Sequence, residues 1–302
     1  MLISKKIKEN LGVEITVVDE KEVDALALLA QDPGVPYASF LSDAKYEDII
    51  GENVKMLIVD EKLVDELERK NNSYGLIIAE DPRNLYFKLH NSLQNDPEYI
   101  RPRYETKIGS NCNIHETAVI YPYNVTIGDN VTIEEHVSIK ENTVIGDGCI
   151  IRAGSRIGIT DFEFKREGDR LYGVTHLGGV ILGKEVEIQG NTLVNKAVYP
   201  WDDTTIGDYT KIDDVVQISH GCKIGKGVMI VSHTGIGGRV TIGDWSWIGF
   251  NCTIRNGITI GKNARVNMGA VVTQSVGDGE AVSGNFAIPH DQFIEEMKQK
   301  RK

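Results

Sequence analysis

The chain has 302 residues, 41% of them hydrophobic, and a formal net charge of −11. That length holds one large domain or two ordinary ones, and the acidic balance argues against nucleic acid as the main partner. No run of about 18 apolar residues is available to span a membrane, and the N-terminal MLISKKIKENLG has a basic start but no apolar core, so no signal peptide is expected.

Residues 1–100 read as a small α/β domain. VEITVV (13–18), MLIVD (56–60) and YGLIIAE (74–80) are expected strands, and EKLVDELERKN (61–71) an amphipathic helix. DPRNLYFKLHNSLQ (81–94) is a second helix, with Asp81 as N-cap and Pro82 in the first turn. Pro102 marks a linker.

A six-residue period then begins. Ile108, Ile114 and Ile120 form a first run, and one extra residue shifts it to Ile127, Ile133, Ile139, Ile145, Ile151 and Ile157. Residues 158–181 break the pattern, which resumes at Leu182 and continues in sixes to Val272, with Pro200 as the one slot that is not aliphatic. From Ile206 onward the residue four places after each slot is small or β-branched, and the next residue after the slot is often Gly. Six fits neither a helix nor a lone strand. It fits short strands joined by tight turns, three hexads to a triangular coil: a parallel β-helix. The aliphatic slot points inward, the small residue fills the corner, and the Gly is expected to allow a positive φ. Each coil adds ~4.8 Å. The insertion 158–181 is expected on the outside, on a functional face.

The four cysteines all fall on the small inward corner, four places after Ile108, Ile145, Ile218 and Ile248. They read as buried small hydrophobes rather than disulfides or zinc ligands, which suits a reducing cytoplasm. Near the C-terminus, IPHDQFIEEMKQKRK reads as a short helix from about Asp291, ending in Lys298, Lys300, Arg301 and Lys302.

Among the histidines, His220 stands out. It lies two places after slot Ile218, in KIDDVVQISHG, and eighteen residues later the same corner holds Gly238 in GIGGRV. One coil of stacking sets a potential base beside an open backbone N–H, the minimum for acyl transfer: a group to take the amine proton and a donor for the oxyanion.

The run TTIGDYTKIDDVVQISHGCKIGKGVMIVSHTGIGG closely resembles the core of the UDP-3-O-(3-hydroxyacyl)glucosamine N-acyltransferases of lipid A synthesis. The insertion ending THLGGVILGKEVEIQGNT, the segment FLSDAKY (40–46) and SGNFAIPH resemble the same family. The resemblance implies a mainly β fold: a left-handed parallel β-helix of hexapeptide repeats over 101–288, an N-terminal α/β nucleotide-binding domain over 1–100, and a helical tail over 289–302. It implies His220 as general base, a task suited to an imidazole of ordinary pKa about 6.5. It also implies the Gly238 amide as oxyanion donor and Phe40 and Tyr46 around the nucleobase. His176, in the insertion, is a further candidate for substrate binding, as is His233, expected to face His220 across a subunit interface of a homotrimer. No tightly bound cofactor and no metal are expected; the donor is an acyl carrier protein or coenzyme A thioester.

The chain departs from the family in three places. Asp43 stands where the family has Asn; it can accept from a uracil N3–H but cannot donate. Asp214 replaces another Asn and is expected within reach of His220, where it favours the protonated ring. A second family histidine falls at Gly257 and is absent. The alternatives are an acyl-CoA-dependent N-acyltransferase acting on a dTDP- or UDP-amino sugar, a metal-dependent hydratase on the same fold, which needs three converging imidazoles, and a non-catalytic binding scaffold.

Overall fold

The computed structural model describes residues 1–69, 74–284 and 287–300. The first unit is a five-stranded sheet flanked by helices. Its elements are α1 (Ile3–Leu11), β1 (Thr16–Val18), β2 (Ala25–Leu26), β3 (Tyr37–Leu41), β4 (Val54–Val59), α2 (Glu61–Arg69), β5 (Gly75–Ile78) and α3 (Pro82–Ser92). The strand order is β1-β5-β4-β3-β2, parallel except for β1 against β5. The expected strands and both expected helices are present; α1, β2 and β3 were not legible. Asp81 caps α3 as anticipated, accepting from the Asn84 N–H at 3.0 Å, with Pro82 in the first turn.

The hexads form a triangular parallel β-helix whose three faces carry eight, nine and eight strands. From Ile206 onward the register repeats at eighteen: Ile206 pairs with Ile224, Ile218 with Ile236, and Ile236 with Ile254. The inward slots from Ile127 to Val272 are almost fully buried and make one continuous core, whereas Ile108, on the open first coil, is exposed. The four thiols are free; burial pushes Cys149 up to about 11 and Cys222 up to about 12, so these two are inert fillers, whereas Cys112, near the open first coil, is only half-buried.

Two expectations need correction. From Ile206 onward the glycines directly after the slots do not supply the positive φ; that conformation falls three places after the slot, at Tyr209, Val215, Gly221, Gly227 and His233 among others. Gly207 is there for space, since a Cβ on it would lie 2.6 Å from the Gly225 carbonyl carbon of the next coil. Pro200 is not a slot at all. Leu182 pairs with Ile206, twenty-four residues on, so one hexad's worth of chain leaves the wall. Ala197, Val198 and Tyr199 in this excursion are buried, and Val198 and Tyr199 join the core of the N-terminal unit. The Tyr86 hydroxyl donates to that of Tyr199 at 3.0 Å, and the Trp201 indole N–H donates to the Leu26 carbonyl at 2.9 Å. The excursion therefore fastens the α/β unit to the prism.

The insertion adds a second fastening. It folds into an antiparallel hairpin, Phe164–Glu167 with Arg170–Gly173, laid on α3. Asn91 donates to the Gly173 carbonyl and accepts from the Thr175 N–H, each at 2.8 Å. His90 is fully buried, with Nε2 on the Thr175 carbonyl at 2.7 Å and Nδ1 on the Tyr99 hydroxyl at 2.9 Å. A helix, α4 (His290–Lys300), closes the chain close to where the sequence puts it; Arg301 and Lys302 lie outside the described residues. Among the described residues no helix is long and apolar enough to cross a membrane.

Candidate active site

His220 and Gly238 are stacked one coil apart. The Arg239 N–H donates to the His220 carbonyl at 2.8 Å, and the imidazole lies over Gly238 so closely that a Cβ there would be 2.6 Å from Cε1 and Nε2. Among the described residues the Gly238 N–H has no hydrogen-bond acceptor, so it is a free donor beside the ring.

The ring is held by the insertion. Asp161 Oδ2 accepts from His220 Nδ1 at 2.6 Å and from the His220 backbone N–H at 2.9 Å. A carboxylate can only accept, so Nδ1 carries a proton, and in the neutral ring it is Nε2 that presents the lone pair. Burial alone would raise the Asp161 carboxyl, but the His220 ring and the backbone N–H groups of His220 and Phe162 hold it well below the usual carboxylate range. Asp214 does not fill this role. It lies on another corner, where Oδ1 accepts from the Gly190 N–H at 2.7 Å and its carbonyl takes the His233 N–H at 3.2 Å. The His233 ring rests 5.4 Å from that of Phe250, and no contact to His220 within the chain is formed.

Glu163 was missed. Its Oε2 sits 3.4 Å from His220 Nε2 and its Oε1 2.8 Å from Lys165 Nζ, with Arg239 Nη2 3.9 Å away. Burial would raise this carboxyl too, but Lys165, and Arg239 behind it, keep it below its ordinary value. His176 packs edge-on to His220 with ring centroids 5.6 Å apart, and Nδ1 donates to the Val174 carbonyl at 3.0 Å. Burial pushes its pKa down to about 4. One ligating atom from each of Glu163, His176 and His220 lies within 4.8 Å of the others, a donor set of the kind that holds zinc. The sequence offered little warning: apart from His220 this set comes from the insertion, which has no periodic register to read.

A cavity of about 410 Å³ runs from this corner to the N-terminal unit. Phe40, Tyr46, Arg83, Glu163, Lys165 and Arg239 are on its wall. Phe40 also packs on Tyr86 and Phe87, with centroids 5.1 and 5.9 Å apart. Asp43 is not on that wall; it caps the 3-10 turn 44–49, accepting from the Lys45 N–H at 3.1 Å and pairing with Lys45 Nζ at 2.7 Å.

The model for "Bacterial transferase hexapeptide (six repeats)" matches residues 124–158 and 203–238, and that for "Hexapeptide repeat of succinyl-transferase" matches 239–274. Repeats of this kind therefore run through 124–158 and 203–274. Both His220 and Gly238 lie within matched repeats, whereas Asp161, Glu163 and His176 do not. Over 89 residues the chain is 42% identical to UDP-3-O-acylglucosamine N-acyltransferase 2 of Legionella pneumophila, covering 30% of this chain and 25% of that one. Over 134 residues it is 37% identical to UDP-3-O-acylglucosamine N-acyltransferase 1 of Francisella tularensis, covering 44% and 33%. The chain thus spans a quarter to a third of the length of these curated relatives. The crystal structure of a UDP-N-acetylglucosamine acyltransferase from Bacteroides fragilis superposes with a TM-score of 0.50 at 24% identity, over 59% of this chain and 67% of that one. The likeness speaks for the fold, a left-handed β-helix.

His90 and His176 both have pKa values lowered to about 4 by burial. Unfolding frees each to bind a proton below about 6.5. Their contribution is therefore complete above about pH 6.5 and lost as the pH falls toward 4. The melting temperature is expected to drop across that window, by an amount on the order of a few kcal/mol in stability. His90→Gln should flatten the drop; a profile unchanged by that substitution would contradict the assignment.

Proposed function

We propose that this chain is an N-acyltransferase. It moves an acyl group, taken here as 3-hydroxyacyl, from a phosphopantetheine thioester to the amine of a nucleotide-linked amino sugar. The member we assign is the UDP-3-O-(3-hydroxyacyl)glucosamine N-acyltransferase of lipid A synthesis. The observation that carries this reading is the pairing of an imidazole, its lone pair aimed outward by Asp161, with an unbonded backbone N–H directly above it.

In this reading the acceptor amine forms the C–N bond at the thioester carbonyl, and its proton leaves to His220 Nε2. The Gly238 N–H holds the oxyanion of the tetrahedral intermediate. The C–S bond then breaks and the thiolate takes the proton from His220, so acid and base work balance within one residue. Asp161 is a positioning residue. The aromatic rings of Phe40 and Tyr46 bracket the base, and Arg83, Lys165 and Arg239 give the connecting cavity charges suited to a diphosphate. The acyl arm is taken to lie along the prism against a sister subunit of a homotrimer. Exposed Met229, Trp247, Phe250 and Met268 support such an interface.

Asp161→Asn is expected to cut kcat/KM on the order of 100-fold, because the amide can donate to Nδ1 and favours the wrong tautomer. The pH–rate profile should shift with it, which a loss of fold alone would not do. A second reading rests on Asp43, held by Lys45 and unable to donate to a pyrimidine carbonyl: an acyl-CoA-dependent enzyme for a dTDP- or UDP-amino sugar. Competition between 3-hydroxyacyl carrier protein and the coenzyme A thioester, with UDP- and dTDP-linked acceptors, tests the assignment. Turnover only with coenzyme A and a dTDP-sugar would replace the first reading by the second, and no amide with any pair would sink both.

A further inference from the structure

Three side chains at His220 Nε2, those of Glu163, His176 and His220 itself, turn acceptor atoms toward one another, with Arg239 Nη2 behind Glu163 at 3.9 Å. His220 Nδ1 is committed to Asp161, leaving Nε2 as a lone pair. His176 Nδ1 donates to the Val174 carbonyl, leaving Nε2 as a lone pair too, buried and without a partner. Glu163 gives Oε1 to Lys165, while Oε2 is buried without a hydrogen bond, its nearest charged neighbours being His220 Nε2 at 3.4 Å and Arg239 Nη2 at 3.9 Å. His176 is 3% exposed. Burying such acceptors without donors costs free energy unless a ligand satisfies them.

We propose that Glu163, His176 and His220 form a tripod that binds the acceptor as its ammonium ion, R–NH₃⁺, and so selects an amine over a hydroxyl. This rests on the acyl-transfer reading above. An ammonium has three N–H donors and nothing else to offer, the complement of three acceptors. With donor–acceptor distances of ~2.9 Å and tetrahedral angles, its three partners stand ~4.7 Å apart, against the 4.8 Å limit on the spacing here. A tetrahedral zinc ion with bonds of ~2.1 Å draws its ligands to ~3.4 Å. The Glu163–His220 pair, at 3.4 Å, already meets that tighter spacing, so spacing does not by itself separate the two cations. The surrounding charges discriminate. Lys165 Nζ is 2.8 Å and Arg239 Nη2 3.9 Å from the Glu163 carboxylate, and they oppose a divalent ion twice as strongly as a monovalent one. Asp161 and Glu163 together then offset the charge that His220 gains. Bound in this way, the ammonium first passes one proton through His220 Nε2 to solvent and becomes the neutral amine whose lone pair attacks; His220, neutral again, takes the second nitrogen proton and returns it to the leaving thiolate.

The test compares binding of UDP-glucosamine and UDP-glucose, which differ in the ammonium alone, to the full chain by calorimetry. The expected result is a preference of at least ~10-fold for the amine, carried by charge-assisted hydrogen bonds, that collapses to near unity in Glu163→Gln. Glu163→Asp keeps the charge and should retain part of it. Equal binding of the two by the wild type, while acyl transfer to an amino sugar proceeds, would overturn the tripod and leave the enzyme reading intact. A preference untouched by Glu163→Gln would also overturn it. One-to-one binding of zinc chloride that Glu163→Gln abolishes, without any amine preference, would replace it by a metal site. Failure of both nucleotide sugars to bind would overturn the tripod and the acyl-transfer reading together.

Discussion

Alanine in place of His220 is expected to lower kcat/KM for acyl transfer ~100-fold or more, the range in which a positioned general base contributes. The loss should fall on kcat rather than on acceptor KM. In the proposed mechanism the imidazole takes its proton in the transition state, whereas the nucleotide is assigned to the wall carrying Phe40 and Tyr46. The fold should survive the change. The His220 side chain is not part of the aliphatic core, and its backbone carbonyl still accepts from the Arg239 N–H. Asp161 would lose the ring hydrogen bond but keep the His220 backbone N–H. Steady-state rates on the variant, with a melting curve as control, check this. A variant that retained full activity would mean that another group takes the proton.

Gly238→Ala should be nearly as damaging, for a reason visible only in three dimensions. Gly238 has no positive φ, so conformational freedom is not what the position demands. What it demands is room: the added methyl carbon would sit 2.6 Å from two atoms of the imidazole and 3.1 Å from a third. The ring cannot retreat without breaking its 2.6 Å bond to Asp161, so either base or oxyanion donor is displaced. A misplacement of about 1 Å costs ~100-fold. The expected result is a loss of that order in kcat/KM. A Gly238→Ala enzyme of normal rate would show that the ring and this amide do not work on the same atom.

The prism and the one-coil relation of His220 to Gly238 were legible because a period of six carries its own geometry: eighteen residues must close one triangle. That rule failed where chain left the wall. At Pro200 counting in sixes continued through an excursion, because Val194 and Ile206 are themselves twelve apart and keep the phase. The same blindness hid Asp161 and Glu163. Within DFEF the residues have no repeat to fix which way they face, and only the docking of the hairpin on α3 aims them at His220. Asp214 looked closer to His220 in sequence, six residues away, yet six residues is one side of the triangle and carries it to another corner. His176, singled out for substrate binding, lies beside His220, although nothing in its neighbours' spacing gives the distance.

The central claim is that the imidazole of residue 220 and the amide of residue 238 act on one acyl carbon. A crystal structure of the full chain with the N-acylated UDP-sugar bound measures this directly. The new amide oxygen should accept from the Gly238 N–H at about 2.9 Å, with the amide nitrogen next to His220 Nε2 and the uracil against Phe40 and Tyr46. An ordered product whose amide sits instead beside Asp214 and His233, out of reach of both groups, would contradict the account.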